Sequence, residues 1–405
     1  MAVDPTERAI IRVVAAAQFI NVLEFVIVMP LGPDFSAALG IPTAHLPYIA
    51  ASYTAAAAVA GIAGAFFLDR FDRKKALFVA LCGLVLSTAS AGLAHRFVDL
   101  VVARAMAGFF GGPATSLAFS IVADAVPSER RGRALSVVMM AFALASIFGL
   151  PAGLWLSRWA GWRTPFFAIA ALGTVAVALT LVLPPLRAHL DRATPEPVWS
   201  SLKRLVADPT VRLSYAMTCL VQTSGFLIIP ALSPYLQLNV HFPRRRLDLL
   251  YLVGGVVSLV CTRTAGRLVD RYGSLRIGAV GIALLACVIV VAFASVPPVG
   301  WVWGIFMAYM LAQALRNVSY NTLASKVPAT SERARFQSLQ SAVTHISISA
   351  GAACSGQLLS TAADGSLVNM PRLAWLSIGL TVLVPVLMWR VERRVNARAA
   401  EARPR

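Results

Sequence analysis

Two basic segments of the chain recur at a constant spacing of 201 residues. FFLDRFDRKKAL around Asp69 returns as GRLVDRYGSLRI around Asp270, and DAVPSERRGRALS around Pro127 returns as SKVPATSERARFQS around Pro328. Between them lie apolar stretches long enough to cross a bilayer, since about 20 helical residues span about 30 Å of hydrocarbon. The pattern predicts two halves of similar build, duplicated, joined and embedded in a membrane.

Composition excludes several classes of protein. Hydrophobic residues make up 58% of the chain and charged residues 13%, which is too apolar for a soluble protein with one or two cores. The net charge of +18 comes from short Lys and Arg clusters between apolar runs, so a nucleic-acid partner is not expected. The five cysteines stand singly in apolar segments, and neither a disulfide framework nor a metal or cofactor is predicted. No cleavable leader precedes the first apolar run, which is expected to remain as a span.

Twelve membrane-spanning helices in two groups of six are predicted from apolar runs of roughly 18 to 25 residues. The fold class is therefore an all-α polytopic membrane protein with two pseudo-symmetric six-helix bundles. The first bundle is assigned to residues 1–183 and the second, with a short basic tail, to 211–405. The linker 184–210 is polar and rich in proline, with a short amphipathic helix at its end. The spans lie near 10–30, 45–68, 75–94, 98–121, 133–157, 162–183, 211–237, 246–269, 275–295, 299–325, 334–360 and 371–390.

The distribution of basic residues predicts the orientation. The side that holds both termini carries 27 of the 36 Lys and Arg residues, the opposite side carries seven, and Arg104 and Arg316 fall inside spans. Because cytoplasmic loops are enriched in Lys and Arg, both termini are placed in the cytoplasm, with the chain in the inner or plasma membrane. The run Arg244 to Arg246 is the one violation of this rule.

Glu24 is the clearest candidate for chemistry inside the membrane. It lies near the middle of span 1, and Gln18 and Asn21 precede it on roughly the same helix face. An ionisable side chain in hydrocarbon costs about 2.5–3.5 kcal/mol on insertion scales, so it needs a cavity or a partner. Glu24 is expected either to load and release a proton or, in its protonated form, to fix helix packing. Arg104, about 9 Å into span 4, either pairs with Glu24 or snorkels and packs.

Two further spans carry polar stripes. Span 10 places Gln313, Arg316, Asn317, Tyr320 and Asn321 on one face, and span 11 repeats the pattern with Gln337, Ser341, Thr344 and His345. The stripes, together with Gln222 in span 7, indicate an aqueous cavity that binds a substrate. Interhelical hydrogen bonding is the alternative, because membrane bundles use it as well. His345 titrates near neutral pH if functional, although a lone histidine is also a common packing residue.

The repeated loop motif predicts a conformational latch. Asp69 lies where span 2 ends, and its carboxylate can accept hydrogen bonds from the next helix N-terminus, a contact that contributes about 0.3–1 kcal/mol at exposed sites. Arg70 and Arg73 can reach carboxylates or backbone carbonyls across the interface between the halves. Asp270 and Arg271 repeat the arrangement in the second half. The alternative is a solvated basic loop that only sets the topology.

These residues resemble the major facilitator superfamily, and within it the twelve-span drug:proton antiporter branch with its arabinose-efflux-permease-like members. The family's loop motif, G-x-L-x-D-R-x-G-R-[KR], is matched in the second half by Gly266, Leu268, Asp270, Arg271 and Gly273. The first half matches it at Asp69, Arg70, Arg73 and Lys74, whereas Ala65, Phe67 and Asp72 replace the expected Gly, Leu and Gly.

Further matches lie in spans 1, 4 and 5. RAMAGFFGG around Arg104 resembles the span 4 motif whose arginine is implicated in proton coupling, and Glu24 with Phe25 corresponds to the Glu-Phe pair of the efflux group. Span 5 matches the antiporter motif only in part, at Gly149, Pro151 and Gly153. The resemblance implies two bundles that rock about a central site, and a monomer.

The leading functional hypothesis is a proton-coupled antiporter that exports a small organic molecule such as a drug, a sugar or a nucleoside. A proton symporter or facilitator that imports a small metabolite is the alternative, and a non-transporting membrane receptor or a membrane enzyme is a distant one. No G-x-x-x-x-G-K-[ST] sequence occurs, which argues against a nucleotide-driven pump. The expected partners are the small-molecule substrate, protons and the lipid bilayer, and no enzymatic activity is expected.

Overall fold

The computed structural model describes residues 5–68, 71–186, 198–328 and 332–401, which are almost entirely helical. The first part of the chain forms α1 Pro5–Ile27, α2 Gly32–Leu39, α3 Leu46–Phe67, α4 Arg73–Gly92, α5 Phe97–Ala125, α6 Ser128–Leu144, α7 Leu150–Ala160 and α8 Thr164–Leu181. The second part forms α9 Val198–Ala207, α10 Pro209–Pro234, α11 Leu247–Tyr272, α12 Ser274–Phe293, α13 Val302–Ser325, α14 Arg333–Leu358 and α15 Met370–Glu401. A two-stranded antiparallel hairpin, β1 Ser360–Thr361 and β2 Leu367–Val368, joins α14 to α15.

The chain divides into two compact units. The first unit comprises Met1–Pro195 with Leu247–Leu252, and the second comprises Glu196–Arg246 with Val253–Arg405. The short helix expected at the end of the linker is α9, and residues 187–197 of the linker lie outside the described residues.

The predicted all-α membrane fold class is confirmed. Among the described residues, ten helical segments are long and apolar enough to cross a membrane. Helices α13 and α14 coincide with predicted spans 10 and 11 and contain 24 and 26 residues, but they are not among these ten. Their polar stripes lower their hydropathy, as is usual where a span faces protein or water rather than lipid.

Helix starts reproduce the repeat in the sequence. Helices α3 and α11 begin at Leu46 and Leu247, and α4 and α12 begin at Arg73 and Ser274, so each pair lies 201 residues apart. The residues that precede α4 and α12 differ. Asp72 accepts a hydrogen bond from the backbone N–H of Lys74 at 2.9 Å, whereas Gly273 adopts a φ of +89°. The first-half departure from the loop motif therefore supplies a side-chain N-cap where the second half uses the backbone freedom of glycine.

In the first unit, α3 packs closely against α5 through two glycines one turn apart. A Cβ atom on Gly108 would collide with the carbonyl oxygen of Tyr53, and one on Gly112 would lie 2.6 Å from that of Ala57. Small residues at this spacing let two membrane helices approach backbone to backbone. The approach brings the side chain of Tyr53 into the unit's core.

Each unit also contains a short π-helical segment. Ala145–Gly149 lies between α6 and α7, where Gly149 packs against Leu23 of α1, and Tyr235–Asn239 follows α10. In the second segment, the hydroxyl of Tyr235 donates to the carbonyl oxygen of Ala292 in α12 at 2.9 Å. Such segments accommodate one extra residue within a helix.

In the second unit, α10 is held by α14 and α15. The ring of Tyr215 stacks on Phe336 with centroids 5.0 Å apart, and its hydroxyl donates to the carbonyl oxygen of Phe336 at 3.2 Å. At the start of α10, the carboxylate of Asp208 accepts from the backbone N–H of Thr210 at 2.8 Å and from Arg398 of α15 at 2.7 Å. Partial burial alone would raise the pKa of Asp208, but these hydrogen bonds and the charge of Arg398 lower it below its ordinary value.

Candidate functional site

A buried ion pair joins α1 to α5 in the first unit. Arg104 donates from Nη1 to Oε1 of Glu24 and, at 3.1 Å, to the backbone carbonyl oxygen of the same residue. Both side chains have 0% exposure. The sequence left open whether Arg104 pairs or snorkels, and the structure brings it together with Glu24.

Part of this pair has no hydrogen-bond partner. Among the described residues, Oε2 of Glu24 and Nε and Nη2 of Arg104 accept or donate no hydrogen bond. Burial of two charges costs several kcal/mol per ion, which the mutual attraction only partly offsets. Because Oε2 accepts no hydrogen bond from the described residues, a proton bound there would leave the contact between Arg104 and Oε1 in place.

A polar network across α1, α3 and α5 holds Arg104 in place. Its guanidinium lies 4.8 Å from the ring centroid of Tyr53, within the range of a cation–π contact. The hydroxyl of Tyr53 donates to Oδ1 of Asn21 at 2.8 Å. Nδ2 of Asn21 donates to the carbonyl oxygen of Gly111 at 3.0 Å and to Thr115 at 2.6 Å. A Cβ atom at Gly111 would lie 2.4 Å from the hydroxyl oxygen of Tyr53 and 2.5 Å from Oδ1 of Asn21, so a larger residue there would displace the hydrogen bond between these two side chains.

Tyr53 was missed by the sequence analysis, although two signals pointed to it. It is a polar-tipped ring in the middle of an apolar span, and the Gly108–Gly112 spacing predicts a close helix contact. Among the residues that the sequence grouped with Glu24, Asn21 joins the network. Gln18 is half-buried on α1, and its Oε1 has no partner in the described part of the chain.

Arg316 on α13 is a buried cation of the second unit, with 2% exposure. Its Nη1 lies 3.4 Å from the hydroxyl of Ser224 on α10, and a Cβ atom on Gly225 would come within 3.4 Å of Nη2. No carboxylate within the described ranges forms an ion pair with Arg316. The guanidinium therefore keeps donors for a polar or anionic group.

The other polar residues of the second unit are distributed over α10, α13 and α14. Gln313 donates to the hydroxyl of Tyr309, one turn earlier on α13, at 2.8 Å. Tyr320 is buried, and Asn317 is half-buried with its Oδ1 unpartnered among the described residues. Within the described part of the chain, no hydrogen bond joins Gln222 of α10 or His345 of α14 to this stripe, and Nδ1 of His345 is buried without a partner.

The first-half loop motif is only partly described. Asp69 and Arg70 lie outside the described residues. Arg73, the first residue of α4, is buried and pairs through Nε with the carboxylate of Asp124 near the end of α5. Both partners of this ion pair belong to the first unit. A contact of Arg73 across the interface between the halves stays a prediction.

The second-half motif is built differently. Asp270 and Arg271 are exposed in the last turn of α11, and the guanidinium of Arg271 lies 5.2 Å from the ring centroid of Tyr272. At the positions 201 residues after Arg73 and Asp124, the chain has Ser274 and Ser325. The ion pair of the first unit therefore has no charged counterpart there.

Asp72 and Lys74, two further positions of the first-half motif, form contacts that the sequence did not predict. Besides capping α4, Asp72 accepts a hydrogen bond from the backbone N–H of Leu186 at 3.1 Å. Lys74 donates through Nζ to the carbonyl oxygens of Leu181, at 2.9 Å, and Leu183. An acidic residue directly before a basic helix start is an N-cap signal, which could have identified Asp72.

Comparison with known proteins agrees with this architecture. The sequence model of the family described as Major Facilitator Superfamily matches residues 14–352 and, in a second match, residues 215–405. Among solved structures, a bacterial homolog to the human lysosomal transporter Spinster is similar with a TM-score of 0.74 and 15% identity, over 97% of this chain and 98% of that one.

Two further structures are similar over nearly their whole length. A D-xylose-proton symporter gives a TM-score of 0.75 at 17% identity, over 95% of this chain and 98% of that one. The nucleoside transporter NupG gives 0.73 at 15% identity, over 95% and 99%. At such identities the likeness shows the fold alone.

Proposed function

Because the chain belongs to the major facilitator superfamily, and is thus a multi-pass membrane transporter, we propose that it exports a small organic solute in exchange for protons. The observation that carries this proposal is the buried pair of Glu24 and Arg104. A carboxylate placed there at a cost of several kcal/mol is typical of a proton carrier.

Protonation of Glu24 at Oε2 removes the negative charge that compensates Arg104. The cation–π contact with Tyr53 keeps Arg104 in position, so the protonated site holds a buried positive charge without a counter-ion. If the carrier's conformations differ in how well water or polar groups solvate Arg104, protonation of Glu24 changes the relative free energies of these conformations. In this scheme Glu24 carries the proton and Arg104 couples its presence to the conformational change.

The polar stripe of α13 is the proposed substrate-binding surface of the second unit. Arg316 offers donors without a carboxylate partner among the described residues, and guanidinium groups bind acceptor-rich groups such as sugar hydroxyls and nucleoside carbonyls. Antiport follows if the solute and the proton stabilise opposite conformations of the carrier. The remaining residues proposed to contact substrate are Gln18, Asn21, Gln222, Gln313, Asn317, Tyr320 and His345.

The proposal includes alternating access by two bundles in the inner membrane, with both termini cytoplasmic and the protein monomeric. The loop residues Asp69, Arg70, Arg73, Asp270 and Arg271 are proposed to stabilise one conformation. For Arg73, the pairing with Asp124 supports a role in fixing the cytoplasmic ends of α4 and α5 relative to each other.

Proton movement in proteoliposomes tests the coupling. Sugars, nucleosides and cationic dyes are added in turn to vesicles with an internal pH dye, and the wild type is compared with Glu24→Gln. We expect one substrate class to trigger proton movement in the direction opposite to that of the substrate. This proton movement should be lost in Glu24→Gln, because a glutamine amide does not bind a proton near neutral pH. Asp364→Asn is the matched control, since Asp364 is exposed in the hairpin loop outside the spans.

The variant Glu24→Gln/Arg104→Gln separates coupling from folding, because it removes both buried charges. If the double variant folds and still exchanges solute for protons, Glu24 is not the proton carrier. Proton movement in the same direction as the solute indicates a symporter, and solute movement without protons indicates a facilitator.

A further inference from the structure

A basic groove lies between the start of α10 and the last turns of the membrane-spanning part of α15. Its volume is about 750 Å³. The groove lies within the second unit, and α10 and α15 are direct neighbours there, since Ser377 donates to the carbonyl oxygen of Ser224 at 2.8 Å. The lining residues that matter here are Arg212, Ala216, Trp389, Arg390, Arg393 and Arg394.

The charge of the groove is uncompensated. Its four arginines are exposed, and none forms an ion pair with a carboxylate in the described part of the chain. Of the nearby acids, Asp208 is bound by Arg398. Glu392 is directed towards Gly273 at the start of α12, where a Cβ atom would lie 4.0 Å from its Oε1. Four neighbouring guanidinium groups therefore share one anion-attracting surface.

An apolar strip continues from the groove along α15. Trp389 lines the groove and is 48% exposed, and Val386, Leu383 and Val382, one to two turns earlier on the same helix, are 50%, 51% and 53% exposed. On α10, the exposed residue that lines the groove at this level is Ala216, whose small side chain leaves room beside the strip. The guanidinium of Arg393 lies 5.6 Å from the ring centroid of Trp389, so the basic and apolar parts are continuous.

We propose that this groove binds the headgroup of an anionic phospholipid, whose acyl chains lie along the apolar strip of α15. Arginine binds phosphate with paired, charge-assisted hydrogen bonds, and tryptophan is enriched at the level where headgroups meet hydrocarbon. With the orientation proposed above, the groove opens at the cytoplasmic leaflet, which carries the anionic lipid. A free phosphate would satisfy the arginines but would leave the strip of α15 unused.

Native mass spectrometry of the full-length protein measures this binding directly. Purified protein is titrated with phosphatidylglycerol and, separately, with phosphatidylcholine of the same chain length. We expect tighter binding of phosphatidylglycerol by the wild type, and about thirtyfold weaker binding by Arg390→Gln/Arg393→Gln, from the usual contribution of each arginine near a charged lipid surface. Arg263→Gln/Arg276→Gln is the matched control, because it removes two exposed arginines of α11 and α12 outside the groove.

Fluorescence locates the lipid at the groove. In vesicles that contain phosphatidylglycerol with brominated chains, the lipid quenches the fluorescence of nearby tryptophans. The contribution of Trp389 is the quenching of the wild type minus that of Trp389→Phe. We expect this difference to exceed that with brominated phosphatidylcholine, and to persist when inorganic phosphate is added at the same ionic strength. Equal binding by the groove and control variants, equal quenching by the two lipids, or displacement of the lipid by phosphate overturns the proposal.

Discussion

Arg104 and Arg316 are both buried in membrane-spanning helices, and their surroundings differ. Arg104 is paired with Glu24 and covered by the ring of Tyr53. Arg316 forms one hydrogen bond within the described part of the chain, to the hydroxyl of Ser224. An arginine whose charge is compensated within its bundle responds to protonation of its partner. One without a carboxylate partner is available to an incoming group. The sequence located both residues and indicated different roles for them, but it could not show which side chains the other helices bring to each arginine.

A double-mutant cycle measures the coupling between Arg104 and Glu24. Arg104→Gln leaves a buried carboxylate without its counter-charge, and we expect this to reduce the free energy of unfolding by about 3–5 kcal/mol. Glu24→Gln/Arg104→Gln should recover a large part of this loss, because two amides can hydrogen-bond without buried charge. Thermal unfolding of the purified variants provides the comparison.

The control for this cycle is Arg263→Gln, an exposed position on α11 that should stay within about 0.5 kcal/mol of the wild type. A double variant that loses the sum of the two single losses would contradict the ion pair as the source of the coupling.

Asp208 gives a pH-dependent contribution to stability outside the membrane. Its folded-state pKa is lowered despite the opposing effect of burial, so its contribution is present above the unfolded-state pKa of about 3.9 and is lost as the pH falls through the lower folded-state value. The stability difference between the wild type and Asp208→Ala should therefore be constant from about pH 8 to pH 5 and shrink only at more acidic pH. Chemical unfolding at a series of pH values tests this, and a difference that changes near pH 7 would contradict it.

At the scale of elements, helix positions were predictable from apolar length, whereas contacts between helices were not. The period and length of the apolar runs placed the spans, and the polar stripes of α13 and α14 were visible in the sequence. Tyr53 entered the site only through the approach of α3 to α5 at Gly108, a tertiary feature. Asp72 caps α4 at a position where the motif expects glycine, so comparison with the motif concealed a local signal that the residue itself carried.

The contact between α3 and α5 can be tested with one methyl group. Gly108→Ala places a Cβ atom against the carbonyl oxygen of Tyr53, which is backbone and cannot rotate away. We expect a loss of about 1–3 kcal/mol in stability, as in other overpacked cores, together with impaired transport, because the ring of Tyr53 moves relative to Arg104. Unfolding and transport assays on the same preparation measure both effects.

Gly61→Ala on α3 is the matched control, since nothing lies within 4 Å of the added Cβ atom. It should be neutral or slightly stabilising, because alanine favours helix. Equal loss in both variants would show that helix propensity, not the helix contact, determines the effect.

At the scale of the whole molecule, the two units are related in sequence but differ in their chemistry. Equivalent helices begin 201 residues apart, yet the ion pair of Arg73 and Asp124 corresponds to Ser274 and Ser325 in the second half. The buried acid–base pair also belongs to the first unit. The two units therefore share helix starts, while the proposed proton site lies in the first unit and the proposed substrate surface in the second.

Orientation is a property of the whole chain that labelling can test. In a variant without the five native cysteines, Asp364→Cys in the hairpin loop should react with a membrane-impermeant maleimide added to intact cells. Lys203→Cys on α9 should react only after the membrane is permeabilised. We expect this result because the side assigned to the cytoplasm carries most of the basic residues. Reaction at Lys203→Cys in intact cells would reverse the proposed orientation and would place the basic groove in the outer leaflet.

The matching helix starts have a genetic consequence. Since α4 begins at Arg73 and α12 at Ser274, a crossover that joins codon 72 to codon 274 deletes one repeat length in frame. The product keeps α1 to α3 and α12 to α15, so each position in the six-span order is still filled once. A recombination event of this kind would therefore leave a reading frame of about half the length that still encodes one complete six-span order.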